Sequence, residues 1–341
     1  MSLSISSFVK RGAVVEPYAS TAALLDFEQP IIGPLQKELK DLEELHAKKE
    51  KKSAYLNDEI ALLKQRVDQQ LQALYSNLTP WQKVQVARHA ERPRFLDFAN
   101  MLFQDFTPLA GDRYYGEDCA MMGGFAFFNQ QPCVLIGQER GKDIASRLKH
   151  NFGMPKPEAY RKAIRLMKLA DQFSLPVISL VDTPGAFPGV EAEERGQAEA
   201  IARNIDVGLN LKVPFVCLII GEGGSGGAMA IASADRVAML EHAVYSVISP
   251  EGCASILWRD AKKAEVAATA QKITAADMLR FKVIDKIVPE PIGGAHRDPA
   301  SVFASSQQVL SDLLAEVRKI PAKDLIERRR QKYLAIGMAA S

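Results

Sequence analysis

The sequence contains few cysteines and lacks the spacings with which cysteines usually bind zinc. Four occur among 341 residues, and no two of them form a CxxC pair. They stand among apolar or small residues: Cys119, Cys133, Cys217 and Cys253. The pattern predicts free, buried thiols in a reducing compartment and no metal site within this chain.

Long apolar runs and an excess of one charge are also missing. Runs such as Phe215 to Ile220 have the length of a strand, far short of the roughly 20 residues that span a bilayer. The 43 basic and 41 acidic residues give a formal net charge of +2, which offers no field to attract nucleic acid or a membrane surface. We therefore expect no membrane and no nucleic-acid partner. The expected location is the cytoplasm, with the plastid stroma less favoured.

The first 110 residues are predicted to be a short tail followed by helices. Residues 1–24 are rich in serine and lack the apolar core of a secretory signal, so a weakly ordered tail is expected. Apolar residues at spacings of three and four predict helices at residues 29–47 and 53–76, which form a hairpin. A capping box at Thr79 begins a short helix, and a further helix is predicted from Arg94 to Phe106.

Strands and helices alternate from about residue 120 onward. Helical patterns at residues 158–173 and 191–211 separate apolar segments that recur about 40 residues apart. Each of these segments begins with proline and ends in a glycine or a polar loop: Pro132–Gly137, Pro176–Asp182 and Pro214–Gly221. The spacing indicates repeated strand–helix units, and the continuous apolar strands indicate a sheet covered on both faces. A strand hairpin is predicted at residues 121–136, and two helices are predicted after residue 299.

The most informative segment is Gly221–Gly227, in which five of seven residues are glycine. An apolar strand is predicted to end at Ile220, and a short helix of small residues, Ala228–Ala232, is predicted to follow the glycine loop. Glycine costs conformational entropy, so five of them require a reason. Either the backbone approaches another segment closely, which lets the helix pack tightly on the sheet, or its N–H groups face a ligand.

Two nucleotide-binding motifs match parts of the sequence but lack their partners. Gly221, Gly223 and Gly226 fit the dinucleotide fingerprint, yet only about ten residues separate the last of them from the next strand. That interval is too short for the usual crossover helix. Asp182–Gly185 has the DxxG form of a GTPase element, but no GxxxxGK[ST] phosphate cradle precedes it. Both interpretations are disfavoured.

A serine hydrolase is the main alternative function, because Gly223-x-Ser225-x-Gly227 has the form of a nucleophile elbow. Such a hydrolase would act on an ester or thioester through Ser225. The serine would need a base, and no histidine stands in a distinctive context. A loop with main-chain donors and no obvious acid, base or metal is instead typical of an oxyanion hole. Because Thr183–Gly189 follows the preceding strand, we expect this segment to line the same cleft.

Several longer motifs resemble the α subunits of the bacterial-type, multisubunit acetyl-CoA carboxylase carboxyltransferase. They occur in family order from about residue 25 to about residue 320: Leu25–Pro30, Asn151–Met154, Tyr160–Met167, Val181–Phe187, Gly221–Gly227 and Tyr245–Trp258. These motifs are long and specific, so the resemblance is firm. One departure is the segment Gly111–Asp118, which stands where the family more usually has paired acids; no function is predicted for it.

The resemblance implies an α/β fold, a crotonase-like (ClpP/crotonase) superhelix of repeated ββα units preceded by an N-terminal helical hairpin. It also implies a division of the chain into four parts. Residues 1–24 form a disordered or weakly ordered tail, and residues 25–110 form an N-terminal helical region. Residues 111–298 form the carboxyltransferase core, and residues 299–341 form the C-terminal helices.

The resemblance further implies a biotin-dependent enzyme component that is active only with a β subunit. The reaction transfers the carboxyl group of carboxybiotin to acetyl-CoA and gives malonyl-CoA for fatty acid synthesis. Biotin is carried on a biotin carboxyl carrier protein rather than on this chain, and ATP is used by a separate biotin carboxylase. Zinc is expected only in the β subunit, and the implied assembly is an α2β2 heterotetramer.

By the same resemblance, the backbone N–H groups of Gly223 and Gly224 form an oxyanion hole that faces the ureido oxygen of biotin. The anion left on biotin can itself take the methyl proton, so no protein base is needed, and Ser225 is a small residue in the turn. The residues expected to line the substrate cleft are Thr183, Pro184, Gly185, Ala186, Phe187, Ser225, Gly226 and Gly227. Arg140 and Lys142 are candidates for coenzyme A contact on position alone.

Overall fold

The structure is a computed structural model that describes residues 23–48 and 54–338. The predicted tail, residues 1–24, therefore lies almost wholly outside the described residues. By its internal contacts the chain divides into two compact units, with the boundary between Ser76 and Asn77. Each unit is described separately below.

The first unit contains two helices, α1 (Gln29–Lys48) and α2 (Ala54–Tyr75), which pack on each other. Their buried contact includes Ile32 from α1 and Val67 and Leu71 from α2. The Tyr75 hydroxyl donates a hydrogen bond of 2.9 Å to Glu28 Oε1. The predicted helical hairpin is confirmed, because a stripe of apolar residues at spacings of three and four needs only a partner helix to bury it.

The second unit is built on one eight-stranded sheet, in which seven strands follow the order β1-β2-β3-β4-β5-β6-β8 and β7 pairs with β5. The first three strands pair antiparallel, and all later pairs are parallel. The strands are β1 (Phe103–Pro108), β2 (Met121–Phe128), β3 (Gln131–Gln138), β4 (Val177–Thr183), β5 (Phe215–Gly224), β6 (Arg236–Leu240), β7 (Val244–Ser246) and β8 (Lys286–Val288).

Helices connect these strands and cover the sheet. They are α3 (Pro80–Ala87), α4 (Phe95–Leu102), α5 (Ile144–Lys149), α6 (Pro157–Phe173), α7 (Val190–Glu194), α8 (Gln197–Leu209), α9 (Ser225–Ala232), α10 (Pro250–Trp258), α11 (Ala264–Gln271), α12 (Ala275–Arg280), α13 (Pro299–Arg318) and α14 (Ala322–Leu334). In the described ranges, 23–48 and 54–338, no helix combines the length and the apolar character needed to cross a membrane.

Every residue of β4 and β5 is buried, so the predicted double cover of the central strands is confirmed. The carbonyl groups of the prolines that precede β4 and β5 link neighbouring strands at their amino ends. The Val134 N–H donates to the Pro176 carbonyl (2.9 Å), and the Val177 N–H donates to the Pro214 carbonyl (2.8 Å). Because the strands start level, their carboxyl ends also meet at one edge of the sheet, and the site described below lies there.

Two predicted helices are wrong in extent. The helix expected from Arg94 to Phe106 ends at Leu102, and β1 follows, with Phe103 paired to Phe128 of β2. Its phenylalanines fit a strand as well as a helix, and pairing with a distant strand decides between the two. The helix expected at residues 191–211 is divided into α7 and α8 by Gly196, whose φ of +79° no helix accommodates.

Candidate active site

The glycine-rich segment is not a loop, which corrects the prediction. Strand β5 continues through Gly224, and α9 begins at Ser225. The second half of β5 pairs with β7, in the register Glu222 with Val244 and Gly224 with Ser246. Gly223 is also registered with Thr183 at the end of β4. These partners are distant in sequence, and they hold the glycine backbone extended where local sequence favours a turn.

Three of the glycines are required by close approach to β4 and the segment that follows it. A Cβ on Gly224 would overlap the Pro184 carbonyl, and one on Gly227 would lie 2.9 Å from the Ala186 nitrogen. A Cβ on Gly221 would lie 2.5 Å from Asp182 Oδ1. The structure thus brings the two predicted segments, Thr183–Ala186 and Gly221–Gly227, side by side. Close packing is therefore one role of these glycines.

The junction of β5 and α9 presents main-chain donors. Gly224 is the N-cap of α9, and no side chain of the described residues caps this helix. The first N–H groups of a helix have no acceptor within it, so they carry the positive end of the helix dipole. A Cβ on Gly223 would lie 2.8 Å from the Tyr245 ring, which closes that side of the strand. The assignment of the oxyanion hole to Gly223 and Gly224 stays a prediction.

Ser225 stands at a strained strand-to-helix turn, as a nucleophile elbow requires, but among the described residues it lacks the histidine partner of a catalytic pair. Its φ is +50°, in the left-handed region that is uncommon for residues other than glycine. In the described part of the chain no hydrogen bond joins its side chain to a histidine. His150 instead lies with Nδ1 2.6 Å from the Cys119 carbonyl oxygen, and His296 stacks on His89 with ring centroids 3.7 Å apart. The geometry does not favour the hydrolase alternative.

An apolar cavity of about 610 Å³ lies beside the start of α9. Ser225 and Gly226 form part of its wall, so the cavity adjoins the uncapped helix terminus. Most of the remaining wall is apolar, including Met229, Val247, Ile273, Met278, Val283 and Ile336. Its volume falls within the range of about 300–1,000 Å³ that is usual for small-molecule sites.

A cluster of buried charges supports the strand ends, and the sequence did not reveal it. Asp182 accepts hydrogen bonds from the Glu222 N–H (3.0 Å), Arg94 Nη1 (3.1 Å) and Arg140 Nη1 (3.2 Å). Burial raises the pKa of Asp182, but the charges of Arg140 and Arg94 lower it, and the net shift is downward. Asp182 is therefore an ionised anchor for β5 and not a ligand of Mg²⁺, which removes the last basis for the GTPase interpretation.

Glu222 extends this cluster toward the surface. Its carboxylate accepts from Arg88 Nη2 (2.6 Å) and from Arg140 Nη1 (3.0 Å), and Arg88 also pairs with Glu251 (2.6 Å). Burial lowers the pKa of Arg88 and Glu222 raises it, with a net shift upward, so Arg88 stays charged. Residues separated by up to 163 positions meet here, and no spacing rule within one sequence brings them together.

Gln138, at the end of β3, ties α9 to β4. Its Nε2 donates to the Gly227 carbonyl (3.0 Å), and its Oε1 accepts from the Asp182 N–H (3.2 Å). The side chain is fully buried, so both bonds are made away from water. Gln138 thereby fixes the first turn of α9 relative to the end of β4.

The remaining predicted residues lie near the cluster or at the surface. The Phe187 N–H donates to the Pro155 carbonyl (3.0 Å), which holds the end of the Thr183–Phe187 segment. Arg140 belongs to the charge cluster described above. Lys142 is exposed and pairs with Asp97 at 2.6 Å. Neither basic residue is shown to contact coenzyme A, so both roles stay predictions.

The described residues contain no group of three or more His, Cys, Asp or Glu side chains placed to hold a metal ion. All four cysteines are free, as predicted, but Cys119 and Cys253 are only partly buried, which corrects the prediction that all four are buried. Cys133 and Cys217 are buried, and burial raises the pKa of each thiol to about 12. These two thiols are therefore protonated, structural side chains at neutral pH.

Comparison with known proteins identifies the family. A sequence model described as acetyl co-enzyme A carboxylase carboxyltransferase-like matches residues 24–337. The acetyl-coenzyme A carboxylase carboxyl transferase subunit alpha of Rhizobium johnstonii is 57% identical over 313 residues, which covers 92% of this chain and 98% of that protein. The protein of the same name from Agrobacterium fabrum is 56% identical with the same coverage.

Solved structures show the same fold at low sequence identity. A transcarboxylase 12S chain aligns with a TM-score of 0.55 and 16% identity, over 70% of this chain and 45% of that one. A chain of a Pseudomonas malonate decarboxylase hetero-tetramer aligns with a TM-score of 0.52 and 15% identity, over 63% and 86%. The present chain thus spans less than half of the transcarboxylase chain. These similarities show the fold alone, and they confirm the predicted crotonase-like class.

Proposed function

We propose a function from the premise that this chain belongs to the acetyl co-enzyme A carboxylase carboxyltransferase-like family, as an α subunit. Its activity is that of the biotin-dependent carboxyltransferase component of acetyl-CoA carboxylase, which serves fatty acid synthesis, and acetyl-CoA is a substrate. Being a subunit, it acts in a multisubunit complex.

The observation that supports a specific site is the uncapped start of α9 beside the glycine backbone of β5. Carboxybiotin supplies the carboxyl group, and its ureido oxygen becomes negatively charged as that group leaves. We assign the N–H groups of Gly223 and Gly224 to donate hydrogen bonds to that oxygen. A donor fixed in advance of the reaction is worth about 3–4 kcal/mol of barrier. The chain itself then supplies no acid or base.

The surroundings of the glycines fit this role. The apolar cavity beside Ser225 and Gly226 offers a water-poor environment, in which a backbone hydrogen bond to a developing charge is stronger than in water. The predicted cleft residues Thr183, Pro184, Gly185 and Ala186 pack against the glycine backbone of β5 and α9. The charge cluster and Gln138 lie behind β5 and α9, and they hold these donors in place.

We propose the β subunit as the partner that completes the site, in an α2β2 heterotetramer. Exposed apolar side chains follow β7 along the chain: Val247 is 81% exposed, Ile256 71% and Leu257 64%. Val247 also lines the apolar cavity. Large exposed apolar side chains grouped in one stretch of chain favour a protein interface. The biotin carboxyl carrier protein would deliver biotin to the same cleft, with biotin carboxylase using ATP elsewhere and zinc only in the β subunit.

Reconstitution tests this proposal. The purified chain alone should be inactive. With a β subunit it should convert malonyl-CoA and biocytin to acetyl-CoA and carboxybiocytin, because the β subunit supplies the thioester side of the site. Robust activity of the isolated chain would contradict the shared site, and no activity after stable association with β would contradict the assigned reaction.

Two further proposals concern the chain as a whole. We place the complex in the cytoplasm, and detection of the chain only in a membrane fraction would overturn this. We also retain the four-part division of the chain, with a core at residues 111–298. Limited proteolysis tests the division: residues 111–298 should stay in a resistant fragment, and early cleavage within them would count against it.

A further inference from the structure

A second cavity, of about 400 Å³, lies along α6; four of the eight residues that line it are basic, and two, Ile164 and Leu169, are apolar. Its walls include Arg113, Arg161, Arg165 and Lys168, together with Asp112 and Gln172. Four basic side chains thus face one acidic side chain. The chain as a whole carries a net charge of only +2, so this concentration of positive charge is local.

The spacing of these cations along α6 places them on one stripe. Arg161, Arg165 and Lys168 occur at intervals of four and three residues, which puts neighbouring side chains one turn apart. Like charges at that spacing repel each other and destabilise a helix. Burial lowers the pKa of Arg165, and the charge of Arg113 lowers it further, so the repulsion extends across the cavity. Repulsion among these cations destabilises the helix, and a bound anion would offset it. We take the arrangement as an indication of an anionic ligand.

The acids near this stripe are already engaged. Asp112 Oδ1 accepts backbone N–H groups of Tyr114 (2.9 Å), Tyr115 (2.8 Å) and Gly116 (3.0 Å). Its Oδ2 forms an ion pair with Arg161 Nη1 at 3.7 Å, which is longer than a hydrogen bond. That Nη1 is buried and has no hydrogen-bond partner among the described residues. Glu117, the other carboxylate acting on Arg165, bonds Lys162 and the Gly111 N–H.

The loop that carries Arg113 is held against the stripe. Arg165 donates to the carbonyls of Leu109, Ala110 and Gly111, each at 3.1 Å. Neutral carbonyl partners orient the guanidinium but do not cancel its charge. Arg113 itself has a φ of +66°, a strained conformation for a residue other than glycine. The strain is retained in a conformation that brings Arg113 to the cavity.

This cavity is separate from the glycine site. Tyr160, near the start of α6, reaches the site: its hydroxyl would lie 3.2 Å from a Cβ on Gly227. Lys168 is eight residues further along, about 12 Å at the rise of an α-helix. Because α6 connects the parallel strands β3 and β4, it runs back toward their amino ends, away from the edge that holds the site.

We propose that the α6 cavity binds a phosphate-bearing small molecule. Guanidinium groups donate paired hydrogen bonds that match phosphate oxygens, and three of them converge here with one ammonium group. The exposed rings of Tyr114 and Tyr115 lie beside the cations: Arg161 is 5.2 Å from the first ring centroid and Arg195 is 4.5 Å from the second. The ligand is therefore a phosphate group on a scaffold that contacts an aromatic edge, and its source is either coenzyme A or a separate phosphate compound.

Titration calorimetry of the purified full chain with inorganic pyrophosphate, at constant ionic strength, tests the proposal. Saturable binding is expected. Lys168→Glu should weaken it by roughly tenfold or more, because it reverses a charge in contact with the anion. Lys323→Glu, an exposed charge reversal on α14, should change it by less than about twofold. Equal weakening by both variants, or no saturable binding to the parent chain, would overturn the site.

Two further measurements keep the test decisive. Arg113→Ala removes an exposed side chain without touching the helix, and it should weaken binding several-fold; unchanged affinity in a folded variant overturns the proposal. The KM for malonyl-CoA in the reconstituted complex then distinguishes the two sources. A raised KM in Lys168→Glu identifies coenzyme A as the ligand, and an unchanged KM with weakened pyrophosphate binding identifies a separate phosphate compound.

Discussion

At the scale of single residues, the site depends on where a side chain is missing. Gly224 lies against the Pro184 backbone, and Gly227 against Ala186, so their hydrogens permit an approach that any Cβ would prevent. The segment Gly221–Gly227 matches two unrelated motifs, the dinucleotide fingerprint and the nucleophile elbow, and the structure shows why the sequence alone did not decide between them. A run of glycines indicates that another segment packs closely against the backbone. Here that segment, residues 182–186, lies about 40 positions earlier in the sequence.

Matched alanine substitutions should separate the roles of two neighbouring glycines. Gly224→Ala places a methyl group on the Pro184 carbonyl, and backbone cannot move aside cheaply. We expect a loss of about 1–3 kcal/mol in the free energy of unfolding and a large loss of turnover. In Gly226→Ala the methyl lies 3.2 Å from Ile201 Cγ2, a side chain that can shift, and alanine is favoured in a helix by up to about 1 kcal/mol.

Urea unfolding and the biocytin reaction of the reconstituted complex measure both effects. Gly226→Ala should stay within a few-fold of the parent in turnover and close to it in stability. If Gly224→Ala proved as stable and active as Gly226→Ala, close approach would not explain the glycine at position 224.

At the scale of secondary-structure elements, periodicity predicted what depends on local burial. Helices α1, α2 and α6 agree with their apolar stripes to within a residue or two. The element boundaries that periodicity did not predict depend on pairing between strands that are distant in sequence. Strand β5 extends to Gly224 because β7 pairs with its second half, and β1 replaces a helical turn because β2 lies beside it. The charge cluster was missed for the same reason, since its members lie up to 163 positions apart in the sequence.

One buried ion pair joins three elements around β5, and it makes stability depend on pH. Arg92 follows α3; it donates to the Ile220 carbonyl (2.8 Å) and pairs with Glu290 (2.6 Å), which follows β8. Burial raises the pKa of Glu290, and Arg92 lowers it, with a net shift from 4.5 to about 2. A folded pKa below the unfolded value means that the stabilisation is complete above pH 4.5 and is lost as pH falls through about 2.

Acid titration of the free energy of unfolding checks this. The parent chain should lose about 3 kcal/mol from this group between pH 4.5 and 2. Glu290→Gln should be less stable at neutral pH, because Arg92 is left unpaired, yet show a shallower slope in that window. Burial also lowers the pKa of His242, from 6.5 to about 4. The stability that His242 loses on acidification is therefore lost mostly at higher pH than the window of Glu290. An unchanged slope below pH 4.5 would refute the role of Glu290.

At the scale of the whole molecule, the proposed site lies beside exposed apolar side chains. Strand ends, the uncapped α9 and the apolar cavity meet at one edge of the sheet, while Val247, Ile256 and Leu257 remain exposed. The fold and the family follow from long sequence motifs. The exposed apolar surface could not be predicted from the sequence, because the identity of an apolar residue does not tell whether it is exposed or buried.

Charge placed on this surface should block assembly. Ile256→Asp, on α10, is expected to weaken association with the β subunit by at least about tenfold, since it buries a carboxylate at the interface. Met101→Asp, a matched change at an exposed site on α4, should leave association intact. Analytical ultracentrifugation with a β subunit measures this. Equal association of both variants would place the interface elsewhere.

The central claim is that main-chain N–H groups of this chain stabilise an anion, and a single backbone atom tests it. Replacing residue 224 by glycolic acid turns its N–H into an ester oxygen without adding a side chain. In the reconstituted complex kcat should fall by roughly 10²–10³, as for loss of one oxyanion donor, with little change in KM for malonyl-CoA. The same exchange at the exposed Gly337 should have no effect. Unchanged kcat in the 224 ester would contradict the account.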